Sequence, residues 1–225
     1  MSYILNFETA TKNCSVSISK SGELIALQEL NTGGYSHAEK LHVFIEDVLK
    51  KAGISFSDLS AVCVGKGPGS YTGLRIGVSA AKGICFALDI PMIAVETLAI
   101  LVKQISITEG FIIPMLDARR LEVYSAVFDK DYRQIRATEA QIIDEHSFSD
   151  YLEKGKVYFV GDGAEKCKEL ITHENAIFID NAFPSANEMI SISDKKFEKK
   201  EFEDVAYFEP FYLKDFVGTK SKKRV

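Results

Sequence analysis

Hydrophobic and polar positions along the chain switch between two periods. Tyr3–Phe7 is a short apolar run, and Asn13–Ser19 alternates with Cys14, Val16 and Ile18 on one side. Glu23–Leu30 follows a Ser21-Gly22 turn signal. These read as three consecutive strands. The period then lengthens. Ala38, Leu41, His42, Ile45, Val48, Leu49 and Ala52 fall on one stripe of a helix that Ser36 can cap and Gly53 can end. Phe44 flanks that stripe and Val43 lies off it. The stripe makes His42 a core histidine and leaves His37, in the first turn, exposed. Ala61–Val64 is an apolar run of strand type. Leu74, Val78, Ala81, Cys85 and Leu88 recur at helical spacing. Pro91–Val95 predicts another strand, and a helix follows from about Thr97 to Ile105.

After a polar break at Thr108–Gly110 the pattern returns without the sequence repeating. Phe111–Leu116, Glu122–Phe128 and a weak Arg133–Ala137 give three strands, and His146–Lys154 gives a short helix. Val157–Val160 is a strand running into Gly161-Asp162-Gly163, which opens a helix; Ala176–Ile179 is a strand and Ser185–Ile192 a last helix. The fold class is therefore α/β, with the unit strand-strand-strand-helix-strand-helix present twice. That duplicated unit is the layout of actin-like ATPases, a ribonuclease H-like architecture. It divides the chain into domains 1–105 and 106–200, with a C-terminal segment 201–225 that is expected to return toward the first domain.

Composition narrows the function classes. At 225 residues, 46% hydrophobic and 26% charged, the chain has the make-up of a globular protein with one large core or two small ones. No apolar run approaches the ~20 residues that cross a bilayer. No basic stretch precedes an apolar one at the N-terminus, so no signal peptide and a cytoplasmic location are expected. Cys14, Cys63, Cys85 and Cys167 are scattered, with no Cys-x-x-Cys pair, which gives neither a zinc site nor a disulfide framework. A protein that binds RNA alone usually shows a basic surface; the net charge of −5 gives none overall and leaves room only for a local patch. Lys195–Asp204 is a mixed charge run, and Lys220, Lys222, Lys223 and Arg224 form a basic tail, a solubilising end or an RNA contact.

The chemistry concentrates in Gly65–Gly77, GKGPGSYTGLRIG, between the fourth strand and its helix. Glycine permits positive φ and close approach. A loop opening a helix can hold an anion on free N–H groups, or it can simply be a tight strand-to-helix turn. It is not a P-loop, because no Gly-Lys-Ser/Thr closes it. Gly73, Gly77 and Ala80 line one side of the helix. Glycine inside a helix costs about 1 kcal/mol relative to alanine, so something packs close there: this domain's own sheet, or a helix of another subunit. No hydrolase or zinc-protease motif is present. Glu8, Asp117 and Asp162 sit at strand ends beside turns, where an ATPase would bind phosphate and metal; an ATP-dependent enzyme of this fold is one reading.

GPGSYTGLRIG, its small-residue helix and Ile90-Pro91 resemble the TsaB family, the dimerisation subunit of the bacterial tRNA threonylcarbamoyladenosine machinery. Ile4–Thr11, Ser36-His37, Asp117–Tyr124, Gly161-Asp162-Gly163 and Pro210–Leu213 extend the resemblance. It implies a subunit without a catalytic centre that scaffolds a TsaD-type transferase and a TsaE-type ATPase, with tRNA met only inside the complex. It implies no cofactor of its own, ATP and magnesium being used by the partners, and a homodimer when alone. The implied partner interface is His37, Leu41, Phe44, Val48, Gly73, Gly77, Ala80 and Ile84. Glu8, Thr9, Asp117 and Asp162 would be a vestigial nucleotide cleft. The His-x-x-x-His metal pair of TsaD aligns with Thr97 and Leu101, so no catalytic residue or metal is expected and protease activity is rejected.

Overall fold

The computed structural model describes residues 2–31 and 36–214. The loop around 32–35 and the basic tail lie outside the described residues. The first sheet holds β1 (Tyr3–Glu8), β2 (Cys14–Lys20), β3 (Glu23–Leu30), β4 (Leu59–Gly67) and β5 (Met92–Glu96), in the order β3-β2-β1-β4-β5. β1, β2 and β3 form an antiparallel meander, and β4 and β5 add in parallel beside β1. The second sheet holds β6 (Phe111–Asp117), β7 (Glu122–Asp129), β8 (Gln134–Ile142), β9 (Val157–Val160) and β10 (Ala176–Ile179). Its order, β10-β9-β6-β7-β8, with β6–β7 and β7–β8 antiparallel and β6–β9 and β9–β10 parallel, repeats the first. The fold is thus a duplicated α/β unit.

The two halves differ in their crossovers. α1 (His37–Ala52) joins β3 to β4, and α2 (Tyr71–Leu88) joins β4 to β5. Both cover one face of the first sheet, where Leu5, Phe7 and Val64 meet Leu41, Phe44, Val48, Val78 and Ala81 in one core. In the second half the corresponding helices shrink. Where a helix over His146–Lys154 is expected, α4 covers only Ser149–Leu152. After Gly161-Asp162-Gly163 there is a single 3₁₀ turn, Glu165–Cys167, in place of a helix. The weak third strand is in turn longer than its sequence suggests, β8 running to Ile142.

α3 (Thr97–Leu101) and a 3₁₀ turn, Val102–Gln104, lead from the first half to the second. Leu98, Leu101 and Val102 pack with Ile112 and Val160 of the second sheet, while Ile100 joins Ile4 and Val95 of the first. α5 (Ala186–Glu198) crosses back: Ala186 and Met189 pack on Ile4, Cys63 and Ile93 of the first sheet. Hydrogen bonds pin its start there, from Ser17 Oγ to the Ala186 carbonyl at 2.8 Å and from the Ala186 N–H to Ser15 Oγ at 2.8 Å. α5 lies in sequence with the second half and in space on the first. All four cysteines are free and buried. No described helix is long and apolar enough to cross a membrane.

Candidate functional site

The Gly65–Gly77 stretch folds as the end of β4, a turn and the first half of α2. Ser70 is the cap, its Oγ accepting from the Gly73 N–H at 3.3 Å. The turn is filled from inside the chain. The Ser70 N–H donates to the Ala10 carbonyl at 2.7 Å. A Cβ at Gly69 would lie 2.4 Å from that same oxygen, and one at Gly67 2.8 Å from the Phe211 carbonyl. Of the two readings of this loop, the tight strand-to-helix turn is the one the geometry bears out. Its glycines admit the first hairpin on one side and the C-terminal segment on the other.

The helix glycines face inward. A Cβ on Gly73 would be 2.1 Å from the Thr9 carbonyl, and one on Gly77 2.4 Å from Thr9 Oγ1. Thr9 in turn donates its hydroxyl to the Gly73 carbonyl at 2.8 Å. The close neighbour is therefore this domain's own sheet, not a second subunit. His37 closes the same corner. It is buried, and its Nε2–H donates to the Thr11 carbonyl at 2.6 Å. The two histidines thus exchange the environments expected of them: His42 is exposed. The α1 N-terminus is pressed onto the β1–β2 turn, and the buried arc centres on Leu41, Phe44 and Val48, turning His42 outward.

The interface expected from the sequence needs correction for the same reason. His37, Leu41, Phe44, Val48, Gly73 and Gly77 are buried in the chain's own core, and Ala80 and Ile84 are half-buried against it. The outward face of α2 carries other residues. Thr72, Ser79, Gly83 and Ala87 are exposed there and Phe86 is 85% exposed. A Cβ on Gly83 would meet nothing within 4 Å. On α1 the outward side holds Val43, 50% exposed, among His42, Glu46 and Asp47. Helical spacing showed a small-residue arc on α2 but not which edge of it the sheet would take.

The cleft acids divide. Asp117 and Asp162 come together at the ends of β6 and β9: the Asp117 N–H donates to Asp162 Oδ1 at 3.0 Å. Lys166 pairs with the Asp117 carboxylate and donates to the Glu122 carbonyl at 2.6 Å. Burial pushes the Asp162 carboxyl upward, against the pull of the Asp117 N–H and, more weakly, of Lys12 and Lys166. Glu8 points elsewhere. It is buried in the first sheet beside Gly65, where a Cβ would fall 2.0 Å from Glu8 Oε2. Its Oε1 accepts from the Ala10 N–H at 2.5 Å, and its Oε2 has no hydrogen-bond partner. Burial raises its pKa to about 7. Among the described residues no group of three or more His, Cys, Asp or Glu is placed to hold a metal. Thr97 and Leu101 are fully buried.

The C-terminal segment returns to the first half, as expected, and its contacts there are specific. Glu203 bridges to Met92 on the edge strand β5. Lys82 of α2 donates to the Ala206 and Phe208 carbonyls at 3.0 and 3.1 Å. The Phe211 N–H donates to the Lys66 carbonyl at 2.8 Å, and the Tyr212 ring lies 4.9 Å from that of Tyr71. Lys214 then pairs with Glu122 at the start of β7. The segment crosses the β4–α2 turn and reaches the second half.

The model of the TsaD family, tRNA N6-adenosine threonylcarbamoyltransferase, matches residues 32–220. The tRNA threonylcarbamoyladenosine biosynthesis protein TsaB of Escherichia coli is 31% identical, with 96% of each chain covered. The protein of the same name from Haemophilus influenzae is 25% identical over 96% of this chain and 95% of its own. Among solved structures, YeaZ from Pseudomonas aeruginosa superposes with a TM-score of 0.81 at 25% identity, covering 95% of this chain and 100% of that one. In fold, in length and in sequence, the chain belongs to the TsaB family and takes part in tRNA threonylcarbamoyladenosine biosynthesis.

Proposed function

We propose that this chain is a non-catalytic subunit of the threonylcarbamoyladenosine synthesis complex, holding a TsaD-type transferase and a TsaE-type ATPase in the cytoplasm. It needs no cofactor of its own, and ATP and magnesium serve the partners. The observation that carries this reading is the state of the nucleotide cleft. The acid that would ligate a metal, Glu8, is buried against Gly65 with its pKa near neutrality. The β4–α2 turn that would receive phosphate is packed by Ala10 and Phe211. The runner-up, an ATP-dependent enzyme, would need both to open.

The docking surface follows from the outward layer of α1 and α2. Phe86 stands 85% exposed next to Gly83 and Ala87, and Val43 is 50% exposed on the neighbouring helix. Burying a phenylalanine side chain in an interface is worth about 1.5–3 kcal/mol, and such apolar exposure marks partner surfaces. Self-association of the free chain would use the same layer and compete with the transferase. Co-purification of the transferase with the wild-type chain and with Phe86→Asp tests this. Capture by the wild type and at least tenfold weaker capture by a folded Phe86→Asp is expected; equal capture would remove the surface assignment.

A further inference from the structure

We infer that lysines at the C-terminal end of α5 and on the turn after α3 form a phosphate-binding site for an RNA backbone. Lys195 and Lys196 from α5, Lys199 just past its end and Lys103 from the 3₁₀ turn line one pocket, with Ser191 and Ile192 beside them. The pocket's one acid is Glu201. Its carboxylate lies 3.9 Å from both Lys196 and Lys199. Lys103 and Lys195 have no acidic partner among the described residues. The Lys103 ammonium is held 3.5 Å from the centre of the Tyr132 ring. Its affinity for a proton is depressed first by burial and then by the charge of Lys195. Four cations therefore share a concavity with one anion, in a chain whose net charge is −5. Like charges held together destabilise one another until an anion enters. Lysine binds phosphate as a point charge, tolerant of backbone geometry and blind to sequence.

α5 covers the face of the first sheet opposite to α1 and α2. A partner seated on the α1–α2 layer leaves the lysine pocket open. The choice of RNA rests on the proposed role in a tRNA-modifying complex, because the substrate of that complex is the polyanion at hand. The mixed charge run Lys195–Asp204 reads in sequence as a solvated linker or helix end; Lys103, about ninety residues earlier, completes the cluster only in the fold.

A fluorescent tRNA transcript is titrated against the full chain, alone and assembled with the transferase, across a salt series. Lys195→Glu/Lys199→Glu is compared with Lys130→Glu/Lys154→Glu, the same charge change at exposed positions elsewhere. The pocket variant is expected to weaken tRNA binding about tenfold or more. It should also flatten the slope of log affinity against log salt by roughly 1.4–1.8, at about 0.7–0.9 per lost phosphate contact. The control pair should change neither. Equal effects of the two pairs, or none from the pocket pair, would overturn the site. So would lysine-dependent binding to anionic phosphatidylglycerol vesicles with tRNA binding unchanged. Threonylcarbamoylation assayed with and without the chain separates the two claims. A dispensable chain sinks the subunit role, while the lysine site stands or falls on direct tRNA affinity.

Discussion

Burial makes Glu8 a proton-holding group near neutral pH, and that has a measurable consequence. Its pKa is about 7 in the folded chain, against an ordinary glutamate value near 4 in the unfolded one. Between those values the native state binds the extra proton, so the stabilisation is fully present below about pH 4 and is lost as pH rises through about 7. The loss amounts to roughly 3–4 kcal/mol. Glu8→Gln keeps an acceptor for the Ala10 N–H and removes the charge. Urea midpoints at pH 5 and pH 8.5 should fall for the wild type and stay level for Glu8→Gln, with the variant the more stable at pH 8.5. Parallel behaviour of the two would show that Glu8 does not titrate there. Gly77 supplies a second case. A methyl group there would stand 2.4 Å from Thr9 Oγ1, so Gly77→Ala should destabilise the monomer by about 1–3 kcal/mol, read from denaturant unfolding; an unchanged midpoint would mean that the strand end yields freely. The glycine-rich loop was legible in the sequence as close packing. Its partner was not, because Thr9 lies 64 residues from Gly73 and nothing local announces that contact. The exchange of His37 and His42 has the same origin: periodicity gives a stripe, and tertiary contact decides where that stripe ends.

At the scale of elements, the strands and the two long helices followed from period and turn chemistry. The short crossovers of the second half did not, since four residues of helix and one 3₁₀ turn leave too little repeat to read. α2 is the element on which a partner surface can be tested cleanly. Gly83 is exposed and a Cβ there meets nothing within 4 Å. Gly83→Leu should therefore leave the monomer folded and raise helix stability by up to about 1 kcal/mol. By changing the shape beside Phe86 it should weaken transferase capture and self-association together. Thermal melts beside sedimentation and pull-down check both halves. A folded Gly83→Leu that associates as the wild type does would move the interface off this face.

At the scale of the molecule, the chain keeps a duplicated architecture while its β4–α2 turn is packed from within by Ala10 and Phe211. Two sheets share one strand order, α5 returns to the first, and the segment through Phe211 and Lys214 ties the β4–α2 turn to the second half. The duplication could be read from the order of strands. The return of the C-terminal segment to the first half could be read too; its seat on the β4–α2 turn could not, because Phe211 and Lys66 meet only in the fold. A subunit that works by docking tolerates changes in its cleft and fails on changes to its outward helices, whereas an ATP-dependent enzyme does the reverse. The most direct measurement is formation of threonylcarbamoyladenosine in tRNA by reconstituted transferase and ATPase, supplied with wild-type chain, Glu8→Gln, Phe86→Asp or no chain. A docking role requires modification with the wild type and with Glu8→Gln, and its loss with Phe86→Asp and without the chain. Loss of modification with a folded, transferase-binding Glu8→Gln would contradict it.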